Sequence, residues 1–109
     1  MAVTLWYNPR CSKSRQTLAL LEARGVAVTV RDYQKSPPSL AELQDVLRKL
    51  DQPAGALMRW KDSDLAKDSS EGDILAALAT NPKLIERPVA ITQSAARIGR
   101  PPEAVLEIV

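Results

Sequence analysis

Apolar and polar positions change period several times along the chain, and each change marks an element. Val3-Thr4-Leu5-Trp6-Tyr7 is rich in branched and aromatic residues and runs into Asn8-Pro9, the pattern of a short strand stopped by a turn. From Ser12 to Arg24, the residues Thr17, Leu18, Leu20 and Leu21 form an apolar stripe at helical spacing, with Gly25 as its stop. Val26, Val28 and Val30 then alternate toward Arg31 and Asp32. That predicts a second strand, parallel to the first because a helix lies between them.

Ser39 and Glu42 have the spacing of a capping box, and Leu40, Leu43, Val46, Leu47 and Leu50 follow at intervals of three and four. A helix so amphipathic in a small domain must bury that stripe. Residues 51–69 are polar and mixed, with Pro53 and Gly55, and suggest short helical turns. Ser69 or Ser70 is placed to cap a helix over Glu71 to Thr80, with Ile74, Leu75 and Leu78 inward and Asn81-Pro82 as the stop. Pro88 opens a strand, Val89 to Thr92, and Gln93-Ser94 turns it into an antiparallel partner, Ala95 to Ile98. Gly99 ends that strand, and Pro101-Pro102-Glu103 starts a last helix with Val105, Leu106 and Ile108 facing in. No repeat or low-complexity tract interrupts this order. It predicts one α/β domain, 1–109, with a mixed four-stranded sheet: β-α-β, a helical insert, then β-β-α.

Composition changes the picture in three ways. At 109 residues, with 45% hydrophobic and 26% charged, the chain can bury a real core and reads as soluble and globular. One cysteine and no histidine permit no internal disulfide and remove the commonest metal ligand, so no metal is expected. Fifteen basic against thirteen acidic residues leave a net charge of +2, weak support for nucleic-acid binding. No run approaches the roughly 18 apolar residues of a membrane span, and Met1 to Tyr7 lacks the features of a signal peptide. With its free thiol, the expected location is the cytoplasm.

The chemistry points to Cys11, which stands in Tyr7-Asn8-Pro9-Arg10-Cys11-Ser12-Lys13-Ser14-Arg15, between the first strand and the first helix. The unpaired amides of a helix start carry roughly half a positive charge, and Arg10, Lys13 and Arg15 add full ones. Both lower a thiol pKa and favour a nucleophilic thiolate. A buried cysteine packing as a small hydrophobe is the commoner fate of the residue, but the flanks here are turn-forming and basic where a core position would be apolar. With no histidine to act as a base, activation must come from dipoles and cations.

Tyr-Asn-Pro-Arg-Cys-Ser-Lys-Ser-Arg at 7–15, Glu-Arg-Pro-Val at 86–89 and Arg-Ile-Gly-Arg-Pro-Pro-Glu-Ala-Val-Leu-Glu-Ile at 97–108 together resemble the glutaredoxin-linked arsenate reductase family, ArsC. The resemblance implies a thioredoxin-like fold with a helical insert before the third strand and a cis proline at Pro88. It implies Cys11 as nucleophile and Arg59, Arg87 and Arg100 as the arginines that bind the oxyanion. Guanidinium suits that role because its planar fork donates two parallel hydrogen bonds. Asn8, Ser14 and Arg15 would shape the loop whose amides form an anion nest. It further implies glutathione as co-substrate and glutaredoxin as partner, with no bound cofactor, since the chain has no second cysteine to resolve an intermediate.

One residue departs from the pattern. Tyr7 stands where well-characterised members carry histidine, so Cys11 is expected to be less ionised than theirs, with arsenate turnover slower or absent. That substitution keeps open a glutathione-linked thiol oxidoreductase of another substrate. A third reading, an Spx-type regulator docking on RNA polymerase, is disfavoured because Ser14 occupies the second position of the Cys-x-x-Cys switch.

Overall fold

The computed structural model describes residues 2–109. Its first strand, β1 (Ala2–Tyr7), sends Val3 and Leu5 to one face of the sheet and Trp6 to the other, and all three are buried. That period of two divides the core into two layers. On one side Val3 and Leu5 meet Leu21, Ala90 and Val105. On the other, Trp6 joins a larger cluster with Tyr33, Leu43, Leu57, Leu78, Ile85 and Val89.

The remaining elements follow the order read from the pattern: α1 (Ser12–Ala23), β2 (Ala27–Asp32), α2 (Leu40–Leu50), α3 (Glu71–Thr80), β3 (Val89–Ile91) and β4 (Ala96–Ile98). The sheet runs β2-β1-β3-β4. β1 pairs parallel with β2, Leu5 opposite Val30, and antiparallel with β3, Leu5 opposite Ala90, while β3 and β4 form an antiparallel hairpin. The expected mixed four-stranded sheet is therefore present. Short 3₁₀ turns at Ala54–Leu57 and Trp60–Asp62 occupy the stretch read as helical turns, and a further one lies at Pro82–Leu84.

Four expectations need correction. The last helix is a 3₁₀ segment, Pro102–Ile108, in which Val105 is buried but Leu106 and Ile108 are only partly so. Leu40, expected on the buried stripe of α2, is 48% exposed, because the stripe turns inward only from Leu43 onward. Val30 is 46% exposed: β2 is an edge strand, and although Val26 and Val28 pack on the second cluster, no layer covers its far end. The fourth strand also starts one residue late, since Thr92 and Ala95 close the turn through Thr92 N–H to the Ala95 carbonyl (2.8 Å).

The start of α2 is secured as its sequence requires. Ser39 Oγ accepts from the Glu42 amide at 3.1 Å, and the Glu42 carboxylate accepts from the Ser39 amide at 3.0 Å and from the Arg31 guanidinium. The hydrogen bond from Arg31, with the Ser39 amide, holds the Glu42 carboxyl down at about 2 from an ordinary 4.5. A group depressed in the folded state stabilises it fully above the unfolded pKa and loses that contribution as pH falls. The window runs from about 4.5 down to about 2. Glu42 is half-exposed, so solvent keeps the charge effect small. Removing the cap by Ser39→Ala should cost about 1 kcal/mol in urea unfolding at pH 7.

Gly99 links the fold to the loop around Cys11. A Cβ there would lie 2.6 Å from Thr17 Oγ1 on α1 and 2.7 Å from Pro88 Cγ. Gly99 thus lets the end of β4 close onto both. Gly99→Ala should destabilise by about 1–3 kcal/mol, measured by urea unfolding, through overpacking.

Candidate active site

Cys11 is the N-cap residue of α1, with extended backbone (φ −98°, ψ 121°), so the first amides of the helix point toward its side chain. Its own amide donates to the Asn8 carbonyl at 3.0 Å, closing the turn that Asn8-Pro9 begins. Asn8 Oδ1 accepts from the Arg10 amide at 2.9 Å, and Arg15 Nη1 donates to the Pro9 carbonyl at 2.9 Å. Asn8 and Arg15 thus both hydrogen-bond within the turn that leads into α1.

Ser14 does more than shape it. It is fully buried, and its Oγ accepts from the Asn8 amide at 3.2 Å. With its acceptor side engaged, the hydroxyl is left to favour a thiolate at Cys11. Partial burial pushes the Cys11 thiol up, but the Ser14 amide and hydroxyl, the Lys13 amide and the Arg87 guanidinium more than compensate, leaving it below the ordinary thiol value. That lowering arises without an imidazole at position 7.

Arg87 and Arg100 come to the sulfur from the two ends of the β3–β4 hairpin. The Arg87–Pro88 bond is cis, as expected, and so is Arg100–Pro101, which was not. Arg100 Nε donates to the Arg87 carbonyl at 2.9 Å, and its Nη2 donates to Cys11 Sγ at 3.7 Å. Arg87 Nε is buried and has no hydrogen-bond partner.

Arg59 is placed differently. Its Nε donates to Asp62 at 2.8 Å and its Nη1 to Glu86 at 3.3 Å; its hydrogen bonds go to these carboxylates and not to the sulfur. Glu86 in turn stands 4.0 Å from Arg100 Nε, so Arg59 joins the thiol cluster through a carboxylate. Sequence reasoning passed over Glu86, Asp62 and the packing of Thr17 on Gly99. Two of these had a local signal: acidic Glu86 directly before Arg87-Pro88, and Asp62 three residues after Arg59.

Among the described residues no group of three side chains suits a metal, and no helix is long and apolar enough to cross a membrane. The arrangement suits one kind of chemistry: a thiolate beside two guanidiniums, whose planar forks match an oxyanion.

The fold and this loop recur in known proteins. Residues 6–108 match a family model described as the ArsC family. The chain is 47% identical to an uncharacterized protein, YfgD, of Escherichia coli (strain K12), over 98% of this chain and 96% of that one. It is 42% identical to an arsenate reductase of Haemophilus influenzae, over 99% of each. A solved arsenate reductase from Vibrio cholerae has a TM-score of 0.91 at 43% identity, covering 100% of this chain and 98% of that chain. These neighbours give the sheet its name, a thioredoxin-like fold. A family match that runs from the strand before Cys11 to the last turn of the chain, on a backbone shared throughout, makes this protein a member of the ArsC family.

Proposed function

We propose that this chain is an arsenate reductase that works through one nucleophilic cysteine, with glutathione and glutaredoxin as reductants, in the cytoplasm. The observation that supports it most is the buried Arg87 Nε, a guanidinium donor without a partner beside a sulfur already contacted by Arg100. A donor of that kind fits an oxyanion oxygen. The relatives named arsenate reductase point the same way.

In this reading the Cys11 thiolate attacks arsenic(V), forming a sulfur–arsenic bond as one oxygen leaves as water or hydroxide. Arg87 and Arg100 hold the remaining oxygens and stabilise the charge that builds on them during attack. Glutathione then displaces a second oxygen and becomes bound to the same arsenic. The glutaredoxin thiolate attacks the glutathione sulfur, and the electron pair of that sulfur–arsenic bond passes to arsenic, which becomes arsenic(III). Glutaredoxin leaves as its mixed disulfide with glutathione. Hydroxide releases arsenite from Cys11, which returns as thiolate. The external thiols are needed because Cys11 is the only cysteine in the chain.

The test is a glutaredoxin-coupled assay of glutathione oxidation with purified protein and an active control. Arsenate-dependent oxidation supports the proposal; none, with the control active, defeats it. Tyr7 in the place of the family histidine favours one second reading, a glutathione-linked thiol oxidoreductase acting on another substrate. A glutathione adduct on Cys11 that forms without arsenate stimulation, seen by mass spectrometry, would select it.

A further inference from the structure

Glu86 takes no part in the chemistry above, yet its carboxylate sits between two of the three arginines. Oε1 accepts from Arg59 Nη1 at 3.3 Å and stands 4.0 Å from Arg100 Nε. Its backbone is fixed: the Glu86 amide donates to the Leu57 carbonyl at 2.6 Å and the Arg59 amide to the Leu84 carbonyl at 2.8 Å, on either side of a Met58–Ile85 bridge. The segment carrying Arg59 is thereby stitched to the residue preceding Arg87-Pro88. Arg100 arrives from the end of β4 and rests its Nε on the Arg87 carbonyl, one residue beyond Glu86. One carboxylate on an anchored backbone thus faces guanidiniums from two separate segments.

We infer that Glu86 is a positioning residue, which holds the Arg59 and Arg100 guanidiniums in a single arrangement around Cys11 and touches neither the sulfur nor the anion itself. The inference rests on the reading of Cys11 as the thiolate of an oxyanion site. Asp62 cannot replace Glu86, because it pairs with Arg59 alone and is largely exposed.

A carboxylate here has one other role to exclude, that of a fixed negative charge competing with substrate for the arginines. The two roles differ in sign. Deleting a competing charge tightens anion binding and eases thiol ionisation, whereas deleting a positioning group weakens both. The substitution leaves every other charged side chain chemically unchanged: Lys13 on α1, Arg87 before β3, Arg100 after β4, and the Arg59–Asp62 pair.

The experiment is iodoacetamide alkylation of Cys11 across pH, with and without arsenate, in the wild-type protein, Glu86→Ala and Glu86→Gln, alongside thermal melts. Glu86→Ala should need about tenfold more arsenate for half-protection and should raise the alkylation midpoint by about half a pH unit. Glu86→Gln keeps an acceptor oxygen at the same place and should recover most of both effects. A global structural defect would instead lower the melting temperature of both variants together. Unchanged or tighter protection in Glu86→Ala overturns the inference. Wild-type protein that arsenate fails to protect removes the oxyanion reading, and the alkylation midpoints then decide alone: a midpoint unchanged or lowered in Glu86→Ala overturns the role given to Glu86.

Discussion

Cys11→Ser is expected to reduce arsenate-dependent glutathione oxidation to background, a loss of about a thousandfold or more. The serine hydroxyl has the thiol's place but not its acidity. The Ser14 and Lys13 amides and the Arg87 guanidinium bring a thiol below its ordinary value. An alcohol starts so far above neutral pH that the same donors leave it protonated, and no histidine exists anywhere in the chain to take its proton. Folding should be unaffected, because Cys11 is only half-buried and its place at the helix start is one that serine favours. The measurement is the coupled assay on wild type and variant at equal concentration, with urea unfolding as the control for structure. Appreciable turnover by Cys11→Ser would mean that the sulfur is not the nucleophile.

Arg87→Ala is expected to lower kcat/KM for arsenate by about 10²–10³-fold. Two effects act in the same direction. The guanidinium is one of the groups that lower the Cys11 pKa, so its loss leaves less thiolate at neutral pH. In the proposed reaction the guanidinium also holds an oxyanion oxygen, a contact that strengthens as charge moves onto the oxygens during attack. Arg87→Lys separates the two. It restores a cation but not the planar fork, so thiol reactivity should recover more than catalytic efficiency does. Alkylation rates report the first quantity and steady-state kinetics the second. Equal recovery of both, or of neither, would show that Arg87 acts only through the thiol or only through the fold.

The parts of this molecule that sequence made legible are those governed by neighbours in the chain. Val3, Leu5 and Trp6 alternate, so β1 and its two faces could be read; Ser39 with Glu42 announces the start of α2; Asn8-Pro9 ahead of a helical stripe puts Cys11 at a helix N-terminus. Each rests on contacts within a few residues. What escaped depends on contacts between distant segments. Leu40 has the right spacing for burial, but it precedes the point, Leu43, at which α2 meets the core. Val30 alternates correctly and is still exposed, since its strand lies at the sheet edge and spacing does not report which edge is covered.

The site divides in the same way. Ser14, three residues beyond Cys11, reaches the sulfur because helical geometry puts those positions together. Arg87 and Arg100 were found through resemblance and not through spacing, and the sheet then brings them to the thiol. Arg59 was grouped with them, but its partners are Asp62 and Glu86. A free arginine and a paired one look alike in a sequence, and only the Met58–Ile85 bridge, which lays the segment carrying Arg59 beside Glu86, distinguishes them.

The most direct test of the account is the pH dependence of Cys11 alkylation by iodoacetamide, with and without a tetrahedral oxyanion such as arsenate. A thiolate held by helix amides and guanidiniums should react with a midpoint below the ordinary thiol value of about 8.5, and the anion should slow the reaction by occupying the same donors. A midpoint at or above that value, with a rate indifferent to the anion, would contradict it.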